Sequence, residues 1–160
     1  SDGTVTGGTL KSSGNIIQSV SLPFDAYTSD GSGLRADSST YTDSGMEISI
    51  TPTVSTSKIL VISTGTSFGY KTSSDNVDYL MRLIADHSGI STLELRETEV
   101  RKTGEGSATS RLFDSWSMIA NHDHNTTNEI TYKVQHKTSA ATYAWARYKG
   151  GDMHLLEIAT

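Results

Sequence analysis

The sequence predicts an all-β protein, an antiparallel β-sandwich of jelly-roll-like form with about eight or nine strands. Three observations predict it. Met46, Ile48 and Ile50 alternate with Glu47, Ser49 and Thr51, the period of two that gives a half-buried strand one apolar and one polar face. Ile59 to Ile62 is a continuous run of β-branched residues and leucine, which in a central strand wants burial on both faces. Gly-, Asn- and Asp-containing turn signals recur between the alternating segments at the spacing of a sandwich.

Composition sets the outer bounds. The chain has 160 residues, 34% hydrophobic and 19% charged, with a formal net charge of −5 and no cysteine. That length fits one domain with a real core, and the modest net charge separates it from disordered chains. Serine and threonine fill the remaining share, as expected of strands with polar outer faces. Thiolate zinc sites are excluded. The acidic balance argues against a nucleic-acid surface, and the apolar runs are too short to span a bilayer. The chain starts at Ser1 rather than Met and carries no signal-peptide pattern, as a processed form or the visible part of a longer chain would.

Residues 1–14 are mostly Gly, Ser and Thr, with Val5 and Leu10 as their apolar residues. This polar tail is expected to lie against a neighbouring copy, as an added edge strand; a flexible linker is the alternative. The sandwich is expected over residues 15–160. Asn15 to Leu22 reads as the first strand, with Ile16, Val20 and Leu22 on one face and Pro23 closing it. Phe24 to Gly45 reads as a long loop with a short strand at Ser38 to Thr42 around Tyr41. Pro52 ends the strand of Met46, and Lys58 opens the next. Val77 to Asp86 places Tyr79, Met81, Leu83 and Ala85 on one face. Thr92 to Lys102 reads as an exposed strand with a phase slip near Glu97, and Arg111 to Asn121 as another strand. From Glu129 to Lys137 the alternation is clean, with Ile130, Tyr132 and Val134 inward. Thr142 to Tyr148 is an aromatic strand, Gly150-Gly151 signals a hairpin, and Asp152 to Ile158 completes the set.

Four segments carry a resemblance: G-N-I-I-Q-S-V-S at Gly14 to Ser21, I-S-I-T-P-T-V-S-T-S-K-I-L-V at Ile48 to Val61, I-T-Y-K-V-Q at Ile130 to Gln135 and L-L-E-I-A at Leu155 to Ala159. In order and spacing they resemble uncharacterised bacteriophage proteins, environmental and marine ones especially, that are described as tail-fibre or other virion structural proteins. The Thr-Pro, Ser/Thr turn, Lys-Ile-Leu-Val piece is the most specific. The resemblance implies a β-sandwich subunit of an elongated assembly outside a cell, with no catalytic residues to carry over. The loop Phe24 to Ser44 departs from it.

The candidate sites are few. His122, Asp123 and His124 form the one metal-like cluster, since His-x-His can present two imidazoles together and Asp and Asn oxygens suit Ca²⁺. Without a third ligand in the sequence, a polar turn outweighs both, and no cofactor is expected. Asn125-Thr126-Thr127 matches the N-glycosylation pattern. Tyr143, Trp145 and Tyr148 could stack on sugar rings, although strand aromatics more often fill a core or a subunit contact. The sequence holds no G-x-S-x-G elbow and no carboxylate pair that can be placed at glycosidase separation, so an enzyme is not expected. The leading reading is a structural subunit that assembles with copies of itself, as a trimer or helical filament, into an extracellular filament or virion-surface fibre. Val5, Leu10 and Tyr41 are its candidate contacts. The alternative is a carbohydrate-binding module at a fibre tip, with surface glycans as partners and Tyr143, Trp145 and Tyr148 as the contact. Neither reading involves nucleic acid or insertion into a membrane.

Overall fold

The computed structural model describes residues 14–24, 35–36, 38–71, 77–87, 92–102, 110–139 and 144–160. These hold nine strands and no helix: β1 (Ile16–Phe24), β2 (Arg35–Ala36), β3 (Thr42–Ile50), β4 (Lys58–Lys71), β5 (Val77–His87), β6 (Leu93–Lys102), β7 (Ser110–His122), β8 (Ile130–Thr138) and β9 (Ala144–Ile158). All pairings are antiparallel. The first sheet runs β1-β9-β4-β7, with β2 pairing the far end of β9, and the second runs β3-β8-β5-β6.

That order is a jelly roll. Setting the two-residue β2 aside, the pairs β1·β9, β3·β8, β4·β7 and β5·β6 are the rungs of one long hairpin. Rolling it lays β4 beside β9 and β5 beside β8, which closes the two sheets of a double Greek key. The core lies between them. Ile59, Val61, Met118, Met153 and Leu155 enter from the first sheet; Met46, Ile50, Met81, Leu83, Ile130, Tyr132 and Val134 enter from the second. Each fully buried Leu or Ile contributes about 1.5–3 kcal/mol relative to exposure. The strand of Ile130 keeps strict alternation, with Ile130, Tyr132, Val134, His136 and Thr138 all buried.

Several expected boundaries shift, each for a physical reason. Pro23 does not close β1; it pairs with Asp152, because β1 is an edge strand and a missing N–H costs nothing on the open side. A bulge between Ile16 and Gln18 turns Ile16 outward, to 59% exposure, and takes it off the face of Val20 and Leu22. No separate strand forms over Ser38 to Thr42: Ser38 to Thr40 bend, Tyr41 precedes β3, and Thr42 is already its first residue. The slip in β6 falls at Leu95, between the partners of Leu83 and Ile84, rather than near Glu97. Gly150-Gly151 is not a hairpin. The chain runs straight through as β9, with a bulge opposite Thr66 and Ser67, because β4 is long enough to template both halves.

One expectation is met only in part. Ile59 and Val61 are buried, but Leu60 and Ile62 are only half-buried on the outer face of the first sheet. The continuous apolar run of β4 therefore has one face covered by the core and the other face open.

Candidate functional site

The densest polar cluster lies at one end of the roll, where the β3–β4 turn, the β7–β8 loop and the last residues of β5 and β9 meet. Pro52 stops the pairing of β3, and the turn that follows is closed by Ser57 N–H donating to the Val54 carbonyl at 3.2 Å. This leaves the Thr53 and Val54 amides without partners in a strand. Glu157 takes them. It continues the inward face of Met153 and Leu155 and is fully buried. Its carboxylate accepts from Thr53 N at 3.0 Å and 3.1 Å, Val54 N at 3.0 Å, Thr53 Oγ1 at 3.1 Å and Ser57 Oγ at 2.6 Å. Burial alone raises its pKa, but the bonds from Ser57, the two amides and the Thr53 hydroxyl outweigh it and hold the carboxyl below its ordinary value.

The histidines gather beside it. His122 ends β7 in phase with Trp116 and Met118 and is buried, as are His124 and His87. Its Nδ1 is 2.8 Å from the Tyr132 hydroxyl. The His124 ring lies edge-on at 6.3 Å, and the His87 ring at 6.4 Å. Burial lowers the His122 pKa, the neighbouring His124 and His87 lower it further, and Asp123 opposes them. His124 places Nε2 at 3.2 Å from Ser57 Oγ and Nδ1 at 2.8 Å from the Thr126 carbonyl. Asp123, between the two histidines, points the other way and pairs with Lys58 Nζ at 3.1 Å.

Ser57, His124 and Glu157 invite comparison with a hydrolytic triad, but their order is different. There the acid orients the imidazole and the imidazole takes the hydroxyl proton. Here the hydroxyl stands between imidazole and acid, and the second imidazole nitrogen faces a backbone carbonyl. All three side chains are buried. The arrangement ties a turn, a loop and a strand end together. The metal reading fares similarly: His122 and His124 come together, Asp123 does not join them, and among the described residues no group of three or more His, Asp or Glu is arranged to hold a metal ion.

No family model matches this chain, and no curated protein matches it in sequence. Among solved structures, ten chains match. One, from the structure of infectious bursal disease virus Gx strain, aligns over 88% of this chain at 14% identity and a TM-score of 0.38. This chain covers 32% of that neighbour's length.

The other sequence candidates are placed as follows. Tyr41 is half-buried on the outer face of the second sheet. Its hydroxyl donates to Glu97 Oε2, and the Arg82 guanidinium and Lys137 ammonium sit over its ring at 4.1 Å and 4.2 Å. Burial and then the Glu97 bond push its phenol pKa up. Asn125 is exposed, with φ of 51°, a left-handed conformation that asparagine tolerates; its side chain donates to the Asp123 carbonyl at 3.3 Å. Val5, Leu10 and Tyr143 lie outside the described residues, and Trp145 and Tyr148 are described only as backbone of β9 paired with Tyr70 and Ser67.

Sequence reasoning missed Glu157, His87 and His136. A signal existed for each: all three extend an inward alternation by one step, after Leu155, Ala85 and Val134. His136 is buried, with Nδ1 at 2.9 Å from the Tyr79 hydroxyl.

Proposed function

We propose that this chain is a non-enzymatic structural subunit that assembles with copies of itself into an extracellular fibre or virion appendage. The observation that supports this reading is the use made of the reactive side chains. Ser57, His124 and Glu157, the groups best placed for chemistry, are buried and bonded to one another and to the backbone of a turn and a loop. Their chemistry is spent on stiffening one end of a jelly roll. Stiff ends suit a module that must keep its shape while its outer surfaces meet neighbours.

Electron microscopy of the purified chain tests the reading. Filaments or regular particles built of this chain are expected. A chain that stays monomeric at every concentration, or that turns over a small substrate, would refute it.

A further inference from the structure

Four of the chain's five histidines are buried. His136 stands apart on β8, beside Tyr79. The other three, His87, His122 and His124, come together at the end of the roll where Glu157 binds the turn. His87 ends β5, His122 ends β7, and His124 belongs to the loop between β7 and β8. The His122 ring lies 6.4 Å from that of His87 and 6.3 Å from that of His124.

Little countercharge faces them. The bonded partners are neutral: the Tyr132 hydroxyl of β8 at His122, and the Ser57 hydroxyl and Thr126 carbonyl at His124. Burial pushes the Tyr132 phenol pKa up, so it stays protonated. On β9, Glu157 is the one buried carboxylate among the described residues. Ser57 stands between it and His124, and it already accepts from the Thr53 and Val54 amides. Asp123 turns to Lys58 of β4, Asp86 of β5 turns to Lys133, and Glu129 is exposed. Residues 53–57 of the β3–β4 turn hold no ionisable side chain. The same groups are tethers. His124 ties the loop to the turn through Ser57 at 3.2 Å, and Glu157 ties the turn to β9.

We propose that this end of the roll is an acid-opened latch: protonation of the histidine cluster releases the β7–β8 loop and the β3–β4 turn while the strands stay paired. Histidine is the side chain whose charge changes in mild acid. Imidazolium rings at these spacings repel, and a buried site screens them poorly. Opening the loop wets the cluster and gives up only the His124–Ser57 bond and the exposed Lys58–Asp123 pair. Unpairing the strands would give up whole ladders. The released state takes up more protons, so acid favours it. Burial, and after it His124 and His87, already holds His122 below its ordinary pKa. In stronger acid Glu157 is neutralised, which loosens the turn at the same end and in the same direction. The latch works whether or not the chain assembles.

Amide hydrogen exchange on the full chain, read residue by residue by NMR, tests it. Protection factors remove the pH dependence of intrinsic exchange and report local opening. From about pH 7.5 to about pH 5, protection at the Thr53, Val54 and Thr126 amides, which bond to Glu157 and His124, is expected to fall. The fall should be about tenfold per pH unit for each proton taken up on opening. Amides in the middle of β4 and β8 should keep their protection over the same range. His122→Asn and His87→Asn leave both tethers in place, and each is expected to flatten the slope. Should either variant fail to fold, the wild type decides by where its protection is lost. Loss spread evenly through the strands, or no loss by pH 5, overturns the latch. Loss confined to the turn and loop but equally steep in both variants overturns the role of the histidines.

Discussion

Glu157 gives the sharpest quantitative test. Replacing it with alanine removes the acceptor for four donors. Their surroundings decide the cost. Thr53 is exposed, so its amide and hydroxyl can turn to water. Ser57 retains the Val54 carbonyl at 2.6 Å as an alternative acceptor. The half-buried Val54 amide has no second acceptor among the described residues. The variant thus loses charge-assisted bonds and strands one donor, a net cost of about 3 kcal/mol. For a domain of this size that lowers Tm by roughly 6–12 °C. Glu157→Gln can keep Oε1 as an acceptor for Ser57, Val54 and Thr53, but it loses the charge and replaces Oε2, which Thr53 also meets, with an amide donor, for a cost of about 1–2 kcal/mol. Urea denaturation at neutral pH reads both. The pH dependence has a definite sign: a carboxyl held below its unfolded value adds stability that is present above about pH 4.5 and lost as pH falls through the folded pKa. The wild-type advantage over the glutamine variant should therefore vanish in acid. Alanine and glutamine variants both as stable as wild type, or an advantage that persists in acid, would refute the account of this cluster.

Three further outcomes follow from the geometry. His122 is held below its ordinary pKa of 6.5, so the unfolded chain takes up its proton first; stability should fall as pH drops from about 7 through that value, and His122→Asn should flatten that part of a denaturation-midpoint profile. Gly45 has φ of 79° within the bulge between Asp43 and Glu47, where a Cβ is disfavoured, and Gly45→Ala should lower stability by about 1 kcal/mol in the same urea assay. Tyr41→Phe removes a surface bond to Glu97 and should cost less than about 1 kcal/mol; a larger loss would show that the Arg82–Tyr41–Lys137 stack depends on the hydroxyl.

Much of the fold was legible because inward alternation is a local property. Ile130, Tyr132 and Val134, and likewise Tyr79, Met81, Leu83 and Ala85, declared their faces from spacing alone. The failures are places where a neighbouring strand overrules local signals. Gly150-Gly151 reads as a turn, yet fourteen-residue β4 pairs on both sides of it and holds β9 extended. Pro23 reads as a stop, yet on an edge it is harmless. Ile16 reads as inward, yet a bulge reverses it.

The candidate site was legible only as its histidines. His122 and His124 are visible as a pair, and alternation after Leu155 turns Glu157 inward, but nothing local names the groups its carboxylate meets. Spacing alone marked most of the strands and most of their apolar faces, and showed that β4 carries an apolar run at Ile59 to Ile62. That Glu157 meets Thr53 and Val54, more than a hundred residues away in sequence, depends on how the roll closes. A side chain's direction follows from its own strand, while its surroundings are set by how the strands pack together.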